Sequence, residues 1–183
     1  MDASPVRSLM NAEDIRNCLE RLADEISSRH AADGAQLALI GIQRRGVYLA
    51  RRLGRLLRQR LDISLPEGVL DINLYRDDWT TLGPRAVVGR TALNFAVQGR
   101  IILLVDDVLY TGRTVRAAME ALADYGRPRK MERVVLADRG GRELPIHADY
   151  AAERIMAGPD ERVDVLLDEQ DGRDEVLLRK KTP

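Results

Sequence analysis

The chain has 183 residues, which suits one well-cored domain and is short for two, so we expect a single domain over residues 1–183. Its 29 basic and 29 acidic side chains balance, which excludes a global electrostatic field that would hold nucleic acid or an anionic membrane surface. A single cysteine excludes an internal disulfide, and no apolar run has the length of a membrane span or the form of a signal peptide, so we expect a cytoplasmic protein without membrane contact.

The first ten residues show no clear periodicity and are expected to be a weakly held lead-in. A helix is predicted from about Asn11 or Asp14, because apolar residues then recur at helical spacing. Its apolar positions are Ile15, Leu19, Leu22 and Ile26. Cys18 lies on the same side, which favours a buried structural thiol over a nucleophile. His30 falls where this helix frays, which favours a solvated side chain over a metal ligand.

A strand is predicted over residues 36–42 and a helix over residues 46–61. The loop between them carries Arg44 and Arg45 and is bracketed by glycines. Such a loop can hold a diphosphate, because guanidinium groups match phosphate oxygens and the start of a helix adds a favourable field. On these residues alone, a solvated basic loop is the alternative.

Residues 68–74 alternate in polarity, which predicts an edge strand, and a long irregular segment follows to about residue 98. This segment contains Trp79 and the arginines Arg76, Arg85 and Arg90. Loops of this length in compact domains are usually functional or disordered.

The most informative stretch is residues 101–114, with the sequence IILLVDDVLYTGRT. Five apolar residues predict a strand buried on both faces, and the adjacent carboxylates of Asp106 and Asp107 close it. A Thr-Gly loop then leads into a predicted helix. The apolar positions of that helix are Val115, Ala118, Met119 and Leu122.

This strand, loop and helix can recognise a phosphorylated sugar. Free N–H groups at the helix start can hold a phosphate, with Gly112 permitting close approach and Thr111 and Thr114 adding hydroxyl donors. Ionised Asp106 and Asp107 are acceptors, and they suit the two hydroxyls of a ribose. The pattern therefore predicts a ribose 5-phosphate ligand, with an ordinary strand-loop-helix as the alternative.

Two further segments complete the pattern. A strand over residues 132–137 ends in a loop over residues 138–145, which can reach the same crevice because the carboxyl ends of parallel strands share an edge. Residues 163–167 and 176–178 flank an Asp-Gly turn and predict a terminal hairpin.

The run ILLVDDVLYTGRT resembles the phosphoribosyl-pyrophosphate (PRPP) signature of type I phosphoribosyltransferases. In its VLYTGRTVRA form it is similar to the PyrR family of pyrimidine-operon regulators, which have uracil phosphoribosyltransferase activity. The segments GIQRRGVYLA, DINLYRDD and DRG-x-RELPI match that family in the same order. The resemblance implies the α/β fold of type I phosphoribosyltransferases: a central, mostly parallel sheet flanked by helices, a small hood, and a flexible hood loop over residues 76–98.

The resemblance implies transfer of ribose 5-phosphate from PRPP to uracil, giving uridine 5′-monophosphate (UMP) and pyrophosphate. Magnesium would be carried by PRPP, without a dedicated protein metal site. Asp106 and Asp107 match the catalytic pair, Arg139 matches a residue beside uracil, and the arginines at 76, 85 and 90 belong to the hood loop. For residues 138–145, an ordinary turn at Gly140 and Gly141 is the alternative. The implied PRPP-binding residues are Arg44, Arg45, Asp106, Asp107, Val108, Leu109, Tyr110, Thr111, Gly112, Arg113 and Thr114.

The family also binds pyrimidine-operon messenger RNA, with UMP and UTP as co-regulators. Arg21 and Arg142 match positions that contact RNA in the family. Glu20 and Asp24 stand where the family usually has threonine and histidine, and Glu153 replaces a basic or polar position. Carboxylates repel a phosphate backbone, so we expect weak RNA binding.

Three functions therefore stay open. A uracil phosphoribosyltransferase is favoured by the intact central motif. The second is a nucleotide-sensing regulator with little turnover that binds RNA or a protein. The third is a phosphoribosyltransferase for another pyrimidine or a purine, because the motif recognises the sugar and not the base. The resemblance also implies a homodimer or a larger homo-oligomer.

Overall fold

The structure is a computed structural model that describes residues 6–77 and 90–181. The helices are α1 (Ala12–Arg29), α2 (Arg45–Leu61), α3 (Arg113–Ala123) and the single turn α4 (Asp168–Asp171). The strands are β1 (Arg7–Met10), β2 (Leu37–Ile42), β3 (Glu67–Leu70), β4 (Ile101–Leu109), β5 (Lys130–Asp138), β6 (Tyr150–Arg154), β7 (Glu161–Leu166) and β8 (Glu175–Lys180). No helix in these described ranges is both long and apolar enough to cross a membrane.

Two sheets organise the chain. The larger one is parallel throughout and has the strand order β3-β2-β4-β5-β6. The smaller one is antiparallel, with the order β1-β8-β7, and it forms the hood. This arrangement confirms the predicted type I phosphoribosyltransferase architecture.

Strand β4 lies at the centre of the parallel sheet and is buried on both faces, as predicted. Its side chains alternate between two apolar clusters: Leu103 and Val105 pack toward α1, α2 and the smaller sheet, whereas Ile102 and Leu104 pack toward α3. Because successive side chains of a strand point to opposite faces, a continuous apolar run is what a strand between two helical layers requires.

Helix α1 begins where the sequence predicts it. The Asn11 side chain accepts hydrogen bonds from the N–H groups of Glu13 and Asp14, and the Asp14 carboxylate accepts one from the Asn11 N–H, which forms a reciprocal cap. The predicted apolar face is buried, and Cys18 lies in it as a free, buried thiol.

Both ends of the chain contribute to the smaller sheet, and the prediction of a weakly held lead-in over residues 1–10 is wrong for its described part. Residues Arg7–Met10 form β1, which pairs with β8 near the other end of the chain. Four residues are too few to show a period, and their partner lies far away in sequence. Strand β6 is likewise short, and the sequence analysis does not predict it. The predicted terminal hairpin is confirmed as β7 and β8.

Two local predictions also need correction. Helical spacing predicts Met119 in the core, but 37% of it is exposed. The predicted strand over residues 68–74 ends at Leu70. Beyond it, backbone N–H groups donate to side-chain oxygens and not to a neighbouring strand. The Asp71 N–H donates to Thr91 Oγ1 at 3.0 Å, and the Asp71 carboxylate accepts from the Asn73 N–H at 2.9 Å.

His30 is buried, so the prediction of a solvated side chain is wrong. Its Nδ1 lies 2.8 Å from the Asp33 carboxylate, and its Nε2 lies 2.8 Å from the carboxylate of the fully buried Glu132. The Tyr150 hydroxyl donates to the same Glu132 oxygen at 2.9 Å. Burial acts to raise the pKa of Glu132, but hydrogen bonds from Lys130, His30 and Tyr150 outweigh it and lower that pKa below its ordinary value.

Tyr150→Phe tests this network. The change removes one donor from a buried carboxylate, so we expect the free energy of unfolding in urea to fall by about 1–3 kcal/mol. Tyr125→Phe, at a side chain that is 48% exposed, is the matched control and should change it by less than about 0.5 kcal/mol. Equal losses in the two variants would contradict the proposed contribution of the network.

Candidate active site

The loop after β4, where the sequence predicts a phosphate site, leads from the central strand into α3. Gly112 caps α3 with a φ of +93°, a left-handed conformation that glycine adopts readily. The Thr111 carbonyl accepts hydrogen bonds from the N–H groups of Glu143 and Leu144, at 3.0 and 3.1 Å, and these bonds tie the loop to the segment after β5. A cleft of about 530 Å³ opens over this loop. It is lined by Arg76, Asp77, Val108, Leu109, Tyr110, Thr111, Gly112, Arg113 and Thr114.

The two adjacent carboxylates lie in the last half of β4. One Asp106 oxygen accepts the Asp107 N–H at 2.9 Å, and one Asp107 oxygen accepts the Val108 N–H at 2.9 Å. Asp106 is buried, whereas Asp107 is partly exposed. Burial, reinforced by the charge of Asp107, raises the pKa of Asp106 well above its ordinary value. The charged form of Asp106 is therefore less favourable than that of an exposed aspartate, and the ionisation of both carboxylates stays a prediction.

The first turn of α2 lies directly against β4. A Cβ atom on Gly46 would come within 2.3 Å of the Val105 carbonyl oxygen, so only glycine allows this approach. The Gln43–Arg44 peptide bond in the loop before α2 is cis. Arg45 is the first residue of α2, and its Nε and Nη2 donate to the Asp171 carboxylate at 3.2 and 2.9 Å. Arg45 and Asp107 line one cleft of about 320 Å³, between the two sheets.

The structure separates the other arginines predicted to meet PRPP. Arg76 lines the cleft over the loop after β4, whereas Arg44 and Arg90 line a different cleft, beside α2. Arg113 pairs with the carboxylates of Asp77 and Glu143. The predicted hood-loop residues Arg85 and Trp79 lie outside the described residues.

Arg139 lies behind the loop after β4. It is buried, and its guanidinium carbon is 3.8 Å from the centre of the Tyr110 ring. Its backbone N–H donates to the Leu109 carbonyl at 3.1 Å, and its Nη2 donates to the Gly158 carbonyl at 3.3 Å. The predicted role beside the base is not tested by these contacts, but they put Arg139 against the same loop.

Arg142 supports the loop in a way that the sequence analysis missed. Its guanidinium donates to the Tyr110 carbonyl at 2.7 Å, to the Ile146 carbonyl at 2.8 Å and to the Asp138 carboxylate at 2.6 Å. Only 15% of the side chain is exposed. Arg142 thus acts as a positioning residue that joins the ends of β4 and β5. No spacing in the sequence signals this role, and the suggested RNA contact of Arg142 stays a prediction.

The residues at the positions predicted to face RNA form ion pairs within the chain. Arg21 donates to the Glu153 carboxylate at 2.7 Å and to the Ala152 carbonyl at 3.0 Å. Arg60 of α2 pairs with both Glu20 and Asp24 of α1.

Comparisons with known proteins agree with this geometry. The family described as "Phosphoribosyl transferase domain" matches residues 8–157. A protein of Syntrophobacter fumaroxidans named "Bifunctional protein PyrR" is 51% identical over 174 residues, covering 95% of this chain and 93% of that protein. The protein of the same name from Thermus thermophilus is 48% identical and covers 93% of each chain.

Solved structures show the same fold. The hypoxanthine phosphoribosyltransferase of Trypanosoma cruzi superposes with a TM-score of 0.71 at 21% identity, covering 96% of this chain and 97% of that one. The corresponding enzyme of Staphylococcus aureus gives a TM-score of 0.65 at 22% identity, covering 97% and 93%. At this level of identity the likeness concerns the fold alone.

Asp106→Asn should make the protein more stable at neutral pH. The raised pKa means that the folded chain binds the Asp106 proton more tightly than the unfolded chain does. Protonation of Asp106 therefore stabilises the folded chain. This stabilisation is complete below the ordinary aspartate pKa and is lost as the pH rises through the raised pKa. We expect the variant to melt at a higher temperature than the wild type at pH 7, and the difference to shrink toward about pH 4.

Thermal melts from pH 4 to pH 8 measure this difference, with Asp160→Asn at an exposed position as the matched control. A variant that is less stable than the wild type at neutral pH, or a difference that grows in acid, would contradict the effect of burial.

Proposed function

The chain belongs to the PyrR family of phosphoribosyltransferases, and from this membership we propose that it transfers the ribose 5-phosphate of PRPP to uracil, forming UMP and pyrophosphate. The observation that carries the proposal is the placement of Asp106 and Asp107 on the strand that leads into a glycine-capped helix start, with Arg45 and Asp107 lining one cleft. This placement supplies acceptors for a ribose diol between two sites for phosphate.

The 5′-phosphate binds in the loop after β4. The N–H groups at the start of α3 and the hydroxyls of Thr111 and Thr114 donate to its oxygens. Carbonyl groups of the same loop accept hydrogen bonds from Arg142 and from the N–H groups of Glu143 and Leu144. These bonds keep the carbonyl oxygens away from the anion. The loop is therefore held in shape before PRPP arrives.

The carboxylates serve the ribose. Breaking the bond to pyrophosphate leaves positive charge on the sugar ring, and a negative side chain beside it lowers the energy of that state. Asp107, which is partly exposed in the Arg45 cleft, supplies this charge. Asp106, with its raised pKa, hydrogen-bonds a sugar hydroxyl either as the neutral acid or as the carboxylate.

Arg45 receives the diphosphate. Asp171 holds its guanidinium through two hydrogen bonds at the start of α2, so a diphosphate competes with Asp171 for the same N–H donors. Release of pyrophosphate returns the guanidinium to Asp171. The carboxylate therefore keeps Arg45 ordered between turnovers.

Magnesium fits this site as a companion of PRPP. In the described ranges, no group of three or more His, Cys, Asp or Glu side chains is arranged to hold a metal. Asp106 and Asp107 offer oxygen ligands, and magnesium typically takes one or two carboxylates and completes its shell with substrate oxygens and water. When bound with PRPP, magnesium would neutralise part of the charge on the leaving diphosphate.

The relatives' name gives a reason to consider a second function, because proteins 51% and 48% identical to this chain are called bifunctional. That function is regulation of pyrimidine genes through nucleotide-dependent RNA binding. The ion pairs of Arg60 with Glu20 and Asp24, and of Arg21 with Glu153, leave fewer positive groups for a phosphate backbone. We therefore infer that transfer is the leading activity.

A direct assay tests the proposed reaction. With PRPP and magnesium, we expect conversion of uracil to UMP, and no comparable product from cytosine, orotate or hypoxanthine. Asp107→Asn should lower kcat/KM roughly 100-fold because it removes charge from the ribose side of the site. Asp62→Asn, at the far end of α2, is the matched control and should retain full activity. Preferred conversion of a purine, or full activity in Asp107→Asn, would refute the proposal.

RNA binding is expected to be weak. In filter-binding assays with pyrimidine-leader transcripts, retention should be nonspecific and should fall steeply as salt rises, because only backbone charge is recognised. A scrambled transcript of the same length is the control. Nanomolar, sequence-selective binding would show that the acidic substitutions do not impair RNA recognition.

A further inference from the structure

A cleft of about 380 Å³ lies beside the first two turns of α2, apart from the proposed PRPP site. Three arginines from two segments line it: Arg44, Arg51 and Arg90. All three are exposed, so their guanidinium groups are available to a ligand. The other lining residues are Gln43, Val47, Tyr48, Val69 and Ala92.

The cleft lies at the edge of the parallel sheet. Its floor includes the bridge between Val69 of β3 and Ala92, in which each N–H donates to the other carbonyl at 2.9 Å. The carboxylates of Asp106 and Asp107 belong to β4, and β2 lies between β3 and β4. The cleft shares no lining residue with the clefts that contain Asp107 or the loop after β4.

Its charge is of one sign. Among the described residues that line this cleft there is no carboxylate, whereas the cleft over the loop after β4 contains Asp77 and the Arg45 cleft contains Asp107 and Asp164. Elsewhere on α2, Arg52 and Arg60 each pair with two carboxylates. Within the described ranges, none of the three arginines of the cleft makes an ion pair.

Gathering three unpaired guanidinium groups around one concavity costs free energy through repulsion, and a bound anion removes this cost. The planar guanidinium fork matches phosphate oxygens in two-point contacts. Gln43 anchors one side of the cleft by donating its side-chain N–H to the Arg90 carbonyl at 3.2 Å. This bond ties the loop before α2 to the segment that carries Arg90.

We propose that this cleft is a second anion site, which binds the phosphate chain of an oligophosphate such as a di- or triphosphate. The volume suits a small ligand and not an extended polymer. Tyr48, Val69 and Ala92 give the cleft a partly apolar wall, against which a nucleoside attached to the phosphates can pack. Arg44 directly precedes Arg45, so this cleft adjoins the proposed diphosphate site without sharing a lining residue with the Arg45 cleft.

Isothermal titration of the full chain with tripolyphosphate tests the proposal. The buffer contains no magnesium and holds saturating ribose 5-phosphate, which occupies the sugar-phosphate site. We expect tripolyphosphate to bind the wild type and to bind Arg51→Gln roughly tenfold or more weakly, because one charged hydrogen-bonding partner is lost. Arg55→Gln removes the same charge from the next turn of α2, outside the cleft, and should bind as the wild type does.

Both substitutions lie at exposed positions of a helix and introduce a good helix former, and circular dichroism melts verify that each variant is folded. Arg90→Gln, in a segment outside α2, should also weaken the binding of tripolyphosphate. A parallel titration with ATP distinguishes the source of the phosphate chain: tighter binding than tripolyphosphate indicates a nucleotide, and equal binding indicates a free oligophosphate.

Equal affinities of Arg51→Gln and Arg55→Gln, or no binding by the wild type once ribose 5-phosphate is present, would overturn the proposal. The measurement involves neither uracil nor turnover. A chain that fails to make UMP can therefore still show this site, and an active uracil phosphoribosyltransferase can still lack it.

Discussion

The burial of a carboxylate at the end of an apolar central strand is the constraint on which the structure depends. Strand β4 is flanked by parallel strands on both sides and covered by helices on both faces, and only Asp107 and Val108 near its end are partly exposed. Asp106 still lies within the packed region, and its pKa is raised because burial penalises its charge. The fold accepts this cost at the position of the proposed ribose site.

Helix α2 provides the second half of the site and much of its electrostatic support. Its start packs on β4 through Gly46, which places Arg45 beside Asp107. Farther along, Arg52 ties it to Glu169 and Asp174, while Arg60 ties it to α1. Partly exposed arginine pairs of this kind add little to the free energy of unfolding, but they tie α2 to its neighbours. The position of the loop before α2 thus depends on contacts along the whole helix.

Features set by local sequence were the ones that could be predicted. The apolar run of β4, the adjacent aspartates and the cap at Asn11 each depend on residues close together in the chain, and each has the expected structure. His30 could not be placed, because its burial depends on Glu132 and Tyr150, far away in sequence. The supporting role of Arg142 could not be predicted either. Most of its partners are backbone carbonyls, which every residue type has, so the sequence does not mark them. The separation of Arg44 from Arg45 follows from the direction of two consecutive side chains, which spacing alone does not give.

The pairing of β1 with β8 has a consequence for how the chain folds. Strand β8 is the middle strand of the smaller sheet, so β1 and β7 both depend on it for their hydrogen bonds. During synthesis, β1 emerges first and has no partner until nearly all of the described chain has followed. Contacts between such distant segments form slowly, because a large loop must close before they gain any stability. The parallel sheet can therefore assemble while the hood is still incomplete.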